Sequence, residues 1–241
     1  MKQKIIRRWR SFLHARAKRR LKKNIELWNM LQKYIQQSKS TGCSYSDYWV
    51  LYNYIRIHKP VEVLECGTGV STIVMAYAMF ENEKETGVRA RLTSMEQMEP
   101  WYKVACDLLP ENLKKYVEII LSSVVEDQHS FFRGVRYADT PKRDYEFVFV
   151  DGPKTGSSKD HVKTFDFDFI WAVRNSTKPV VGILDLRLST YFVLREIFGR
   201  KKTYFDTIRG IGFIGGGSRG PCTKDDLRTT NEIVVSHVNE F

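Results

Sequence analysis

Residues 61–72 read Val61-Glu62-Val63-Leu64-Glu65-Cys66-Gly67-Thr68-Gly69-Val70-Ser71-Thr72. An apolar run closes on a carboxylate, Glu65, passes through two glycines spaced by one residue, and opens into a helix-compatible segment at Ser71. The order is strand, tight turn, helix. Glycines in such a turn accept positive φ and, lacking Cβ, let a ligand lie directly on the backbone, while the N–H groups of the helix start point into the same space. A nucleotide-like ligand suits that geometry. The carboxylate two residues before Gly67 favours a cationic or hydroxyl-bearing ligand and would repel a pyrophosphate.

The pattern Glu65-x-Gly67-x-Gly69-x-Ser71 resembles the first motif of the class I S-adenosylmethionine (SAM)-dependent methyltransferases, in the Gly-Thr-Gly-x-Ser-Thr form of a small-molecule branch, with Ser71 where a third glycine is usual. A nicotinamide-binding turn would need glycine at Thr72. The resemblance covers residues 61–217. It implies an α/β fold: a Rossmann-like, seven-stranded methyltransferase sheet with its last strand antiparallel and helices on both faces. It also implies SAM as cofactor, held by Glu65, Gly67, Thr68, Gly69, Ser71 and Thr72.

The rest of the chain supplies elements in the matching order. Residues 91–95 read as a second strand ending at Glu96, where a carboxylate accepts hydrogen bonds from both ribose hydroxyls in the resembled family. Residues 117–121 alternate like a strand and run into Ser122-Ser123; Ser123 falls where that family contacts the adenine edge. Residues 145–150 form the clearest buried strand and end at Asp151-Gly152-Pro153. An aspartate at the carboxyl end of a central parallel strand lies in the crevice where open α/β sheets bind ligands, so Asp151 is the candidate cofactor contact, acceptor positioner, general base or metal ligand. The loop 154–159 follows, and Asp160 and His161 head an expected helix over 160–173; His161 is a second candidate for proton removal. A strand over 179–184 ends at Asp185. In metal-dependent catechol-type methyltransferases carboxylates after these two strands hold magnesium, but Leu186-Arg187 follows here in place of a neighbouring Asn or Asp, and no metal is expected. Segments 203–208 and 211–214 fit the antiparallel pair that ends a methyltransferase sheet.

The net charge of +11 is one-sided. Residues 1–23 hold eleven Lys and Arg and no acid, leaving 28 basic against 28 acidic side chains in the remainder. Ile5, Trp9, Phe12, Leu13, Ala17, Leu21, Ile25, Trp28, Leu31 and Ile35 recur at steps of three and four, which predicts one long amphipathic basic helix. The expected division is a helical arm over 1–37 and a methyltransferase domain over 38–241. Such a helix suits an anionic membrane surface, but packing on the domain, self-association and RNA binding stay open. Four scattered cysteines fit reduced thiols, and no apolar run approaches the length of a membrane span. A cytoplasmic protein, peripheral at most to a membrane, is expected.

Together these readings point to methyl transfer from SAM to a hydroxyl of a small molecule, sugar or glycan. A methyltransferase acting on nucleic acid or protein, and a non-catalytic binding protein on the same fold, are the alternatives.

Overall fold

The computed structural model describes residues 2–38, 44–157, 160, 162–216 and 220–238. Cys43, His161 and the end of the loop after Asp151 lie outside them.

The central sheet has seven strands: β1 (Glu62–Cys66), β2 (Arg91–Glu96), β3 (Val117–Leu121), β6 (Phe147–Val150), β7 (Val181–Asp185), β8 (Thr203–Asp206) and β9 (Ile211–Ile214). Their spatial order is β3-β2-β1-β6-β7-β9-β8. The first five run parallel, and β9 is antiparallel to both neighbours. All seven expected strands are present, in the expected class of sheet. Alternation along the strands sorts the core into two layers, because successive side chains point to opposite faces. Val63, Phe147 and Phe149 join the layer beneath α2 (Ile25–Ser38), α3 (Tyr45–His58) and α4 (Val70–Thr86). Leu64, Val148 and Val150 join the layer beneath α6 (Asp168–Asn175) and α7 (Leu188–Phe198).

Three expectations need correction. The single N-terminal helix is two, α1 (Lys2–Leu21) and α2, broken at residues 22–24. Asn24 explains the break: its Oδ1 accepts the Leu27 N–H (3.1 Å) as an N-cap and also the Tyr77 hydroxyl (3.1 Å), while its Nδ2 donates to Glu81 (3.0 Å). The second half of α1 then folds back on α3, where Lys18 lies 5.1 Å from the Tyr45 ring centroid and Arg20 5.2 Å from that of Trp49. The expected helix over 160–173 begins only at Asp168; residues 162–166 before it carry isolated bridges at Lys163 and Asp166, and Phe165, Asp166 and Phe167 are buried. Finally, β4 (Val124–His129) and β5 (Phe132–Tyr137) form an antiparallel hairpin where no strand is expected. Its residues Val135 and Tyr137 are buried, and Tyr137 enters the α6 layer. The remaining helices are α5 (Glu99–Leu108) and α8 (Thr230–Val238). No helix among the described residues is long and apolar enough to cross a membrane.

Candidate functional site

The strand order reverses between β1 and β6, and in a sheet of this kind the crevice opens at the carboxyl ends of the strands flanking that point. Those ends are Gly67-Thr68-Gly69 after β1 and Asp151-Gly152-Pro153 after β6. The two loops cross in close contact. Gly67 has φ +97, and a Cβ on it would sit 3.0 Å from the Asp151 carbonyl carbon; one on Gly152 would sit 2.6 Å from the Tyr137 hydroxyl. Only glycine fits either crossing. Gly69 differs: a Cβ there would meet nothing within 4 Å, so its backbone borders open space.

Two cavities flank the crossing. The larger, about 270 Å³, is lined by Gly67, Thr68, Glu96, Gln97, Met98, Trp101, Tyr137, Asp151, Gly152, Pro153, Lys154 and Arg187. The smaller, about 130 Å³, is lined by Ser44, Asp47, Tyr48, Thr68, Gly69, Val70, Ser71, Phe149, Asp151 and Asp185. Thr68 and Asp151 border both, so the cavities meet at the carboxyl end of β6. The larger has two acids, Glu96 and the shared Asp151, beside the sulfur and indole of Met98 and Trp101. The smaller has three carboxylates, and Asp185 Oδ1 is buried there without a hydrogen-bond partner among the described residues.

Glu65 does not line either cavity. Its carboxylate is fully buried beneath the loop and accepts three hydroxyls: Ser71 Oγ (2.5 Å), Thr72 Oγ1 (2.6 Å) and Ser94 Oγ (2.6 Å). Burial pushes it up to about 7 despite those donors. It ties the end of β1 to the first turn of α4 and to β2. Thr72 extends the same chain, accepting the Gly69 N–H (3.0 Å). Glu65 and Thr72 therefore shape the turn from below, a different position from the ligand contact expected of them.

Glu96 closes β2 and is nearly buried. Its Oε1 accepts the N–H groups of Gln97 and Met98, both at 2.8 Å, which aims the side chain across the cleft floor. Burial raises its pKa and these backbone donors lower it. Gln97 in turn accepts the Lys154 N–H (2.8 Å), joining the β2 end to the loop after β6.

Asp151 keeps 47% of its side chain exposed, into the cleft. Loss of hydration raises its carboxyl to about 8, with the charge of Asp185 adding to the effect and Arg187 opposing it. Arg187 is the clamp of this loop. Its guanidinium donates to the carbonyls of Asp151 and Pro153 (2.7 Å to the latter) and pairs with buried Asp166 (2.9 Å), which also accepts Thr190 Oγ1 (2.6 Å). The Gly152–Pro153 peptide is cis.

The structure thus brings Gly67, Thr68, Gly69, Ser71, Glu96 and Asp151 around one crevice. Ser123 lies apart, exposed, with its carbonyl accepting the Ala138 N–H (2.9 Å). Asp160 is ion-paired with Arg133 (2.6 Å), which holds it down to about 2, and His161 lies outside the described residues. Among the described residues no group of three or more His, Cys, Asp or Glu is arranged to hold a metal ion. Sequence reasoning missed Met98, Trp101, Tyr137, Arg187 and Asp47. Met98 and Trp101 carry a local signal, being three apart at the start of a helix that follows a strand-end acid; Tyr137 arrives from the unexpected hairpin and carries none.

This fold is that of the class I methyltransferases. No family profile and no curated protein matches the chain. Among solved structures it is similar to a caffeoyl-CoA O-methyltransferase-like protein from Staphylococcus aureus, at 15% identity over 78% of this chain and 91% of that one, with a TM-score of 0.50. It is also similar to a methyltransferase from Geobacter sulfurreducens (14% identity, 78% and 88% covered, TM-score 0.48) and to the SAH-bound Podospora anserina methyltransferase PaMTH1 (12%, 72% and 64%, 0.45). At these identities the likeness is one of fold.

Proposed function

We propose that the protein is a SAM-dependent methyltransferase acting on a hydroxyl of a small molecule, sugar or glycan. The observation that carries this reading is the pair of cavities meeting at Thr68 and Asp151. A nucleoside with a cationic amino-acid tail needs two unlike pockets joined at its middle, and this crevice has them. In the larger, Glu96 is suited to accept the ribose hydroxyls, and Met98 and Trp101 offer apolar and aromatic surface for a purine. In the smaller, Asp47 and Asp185 suit an ammonium group, and the unpartnered Asp185 oxygen is the kind of buried acceptor such a group satisfies. Ser71 and the Gly69 backbone border the same space.

When bound, SAM supplies a methyl group already activated by its sulfonium. The protein's own task is then to align an acceptor and keep water out. Asp151 stands where the two pockets join, its backbone fixed by Arg187, so its carboxylate is held for an acceptor hydroxyl. A base with a pKa near the working pH is the most effective one, and a carboxyl raised to about 8 is in that range.

The test is calorimetric titration with SAM. Wild-type protein is expected to bind, and Glu96→Ala to bind about 10- to 100-fold more weakly, the equivalent of about 1–3 kcal/mol for lost charge-assisted hydrogen bonds. Equal affinity in the two proteins would remove Glu96 from the ribose subsite; no binding by wild type would remove the whole reading.

A further inference from the structure

The two faces of α1 have different fates. Arg10, His14, Ala17 and Leu21 share the inward face: Arg10 Nε donates to the Ile208 carbonyl (2.9 Å), the His14 ring lies 5.0 Å from that of Tyr45, and Ala17 and Leu21 are buried. The opposite face begins with Ile5, Trp9 and Phe12, exposed to 53%, 52% and 47%, and continues into Arg16 and Arg19, with Arg8 alongside. Trp9 and Phe12 meet edge to face at 5.9 Å, and among the described residues nothing covers the patch. Among the described residues no salt bridge engages α1. A contiguous apolar patch left in water after the fold has taken its own apolar face marks a contact surface.

Charge selects the occupant. Residues 1–23 carry eleven basic and no acidic side chains, while the rest of the chain balances. A second copy would bring the same positive field against this face. A nucleic acid would answer the charge but leave Ile5, Trp9 and Phe12 unsatisfied. An anionic bilayer answers both, with an acyl boundary for the apolar side chains and phosphate or carboxylate headgroups for the arginines. We propose that α1 docks the protein on an anionic lipid surface, with Ile5, Trp9 and Phe12 entering the headgroup–acyl boundary and Arg8, Arg16 and Arg19 pairing with headgroups. It is the inward face of α1 that lies near the end of β7: Arg10 and the exposed Leu186, which follows Asp185, both approach Gly210. This inference stands apart from the reading of the reaction and does not depend on it.

Cosedimentation of the full chain with vesicles tests it. Phosphatidylcholine vesicles with about 30 mol% phosphatidylserine are expected to bind at least ~10-fold more tightly than pure phosphatidylcholine at about 0.1 M salt. Changing Ile5, Trp9 and Phe12 together to Ala is expected to weaken binding at least ~10-fold with a nearly unchanged melting midpoint, because these side chains are about half exposed and the Trp9–Phe12 contact lies within α1. Changing Arg8, Arg16 and Arg19 together to Gln should weaken it about 100-fold, at roughly 5-fold per arginine. The proposal is overturned by no vesicle binding, by equal binding to both vesicle types, or by binding that survives the apolar triple change. It is equally overturned if the chain ignores vesicles and instead binds an RNA oligonucleotide, or forms a dimer that the apolar triple change dissolves.

Discussion

Glu65 shows how a single buried carboxylate organises a ligand-binding turn without touching the ligand space. Three hydroxyls from two elements converge on it at 2.5–2.6 Å, and each is itself buried or nearly so. Removing the acceptor strands the Ser71 and Ser94 hydroxyls and leaves that of Thr72 with its 3.2 Å contact to Thr68 Oγ1. Glu65→Ala is therefore expected to cost about 3 kcal/mol, lowering the melting midpoint by roughly 6–12 °C for a chain of this size. Glu65→Gln keeps one oxygen as acceptor and should lose less. Differential scanning calorimetry that found Glu65→Ala as stable as wild type would mean the hydroxyls re-pair with backbone or water. The contrast with Glu96 and Asp151 is one of depth. All three acids end or approach the end of a central strand, but Glu65 is one residue short of its strand's end, so its side chain is held inside the sheet layer.

The break between α1 and α2 decides what the basic segment can do. An unbroken helix of its length would carry its charge away from the domain, whereas a turn at residues 22–24 lays the second half of α1 along α3 and leaves the first half outward. Asn24 holds that turn through a cap and two tertiary bonds. Asn24→Ala is expected to destabilise by about 2 kcal/mol, somewhat above an ordinary N-cap loss because Tyr77 and Glu81 also lose a partner. Chemical denaturation provides the measurement, and a loss under about 0.5 kcal/mol would assign the turn to the packing of α1 on α3 instead. The β4–β5 hairpin is a second case of an element acting at a distance. It delivers Tyr137 to the crossing of Gly67 and Gly152, closing the cleft from the side of α6.

At the scale of the molecule, the switch in strand order gathers acids at one end of the sheet, and their loss of hydration there ties stability to pH. Glu65, Asp151, Asp166 and Asp185 are raised to about 7, 8, 6 and 6, chiefly by loss of hydration. Between about pH 4.5 and 8 the unfolded chain ionises these groups while the folded chain still holds their protons. The folded state then binds more protons, and stability falls as pH rises. His129, lowered by burial, acts the other way near and below its ordinary pKa, one group against four. Below about pH 4.5 the sign reverses, because Glu83, Glu85 and Asp160, held down to about 2 by their hydrogen-bonded partners, must take up protons to unfold. The ligand-free protein is expected to melt highest near pH 5 and progressively lower toward pH 8. A midpoint that climbs over that range would show the crevice acids to be ionised throughout.

The seven strands of the sheet, the glycine turn, and the acids at the ends of β2, β6 and β7 were legible in the sequence because each is written locally: a short apolar run, its alternation, and a turn or a charge where it stops. The same local signals placed Gly67, Glu96 and Asp151 at the carboxyl edge. What lay beyond them depends on contacts between distant parts of the chain. The periodicity of residues 5–35 runs straight through Asn24, and only its bonds to Tyr77 and Glu81 stop the helix. Residues 124–137 lack a clean alternation, and pairing across a turn makes them strands. The inward position of Glu65 arises from hydroxyls on α4 and β2, and the grip of Arg187 on the Asp151 loop spans more than thirty residues. Local pattern determined the elements and their order; tertiary closure decided which of their polar groups face a ligand and which hold the frame, since hydrogen-bond partners are chosen by proximity in space and not along the chain.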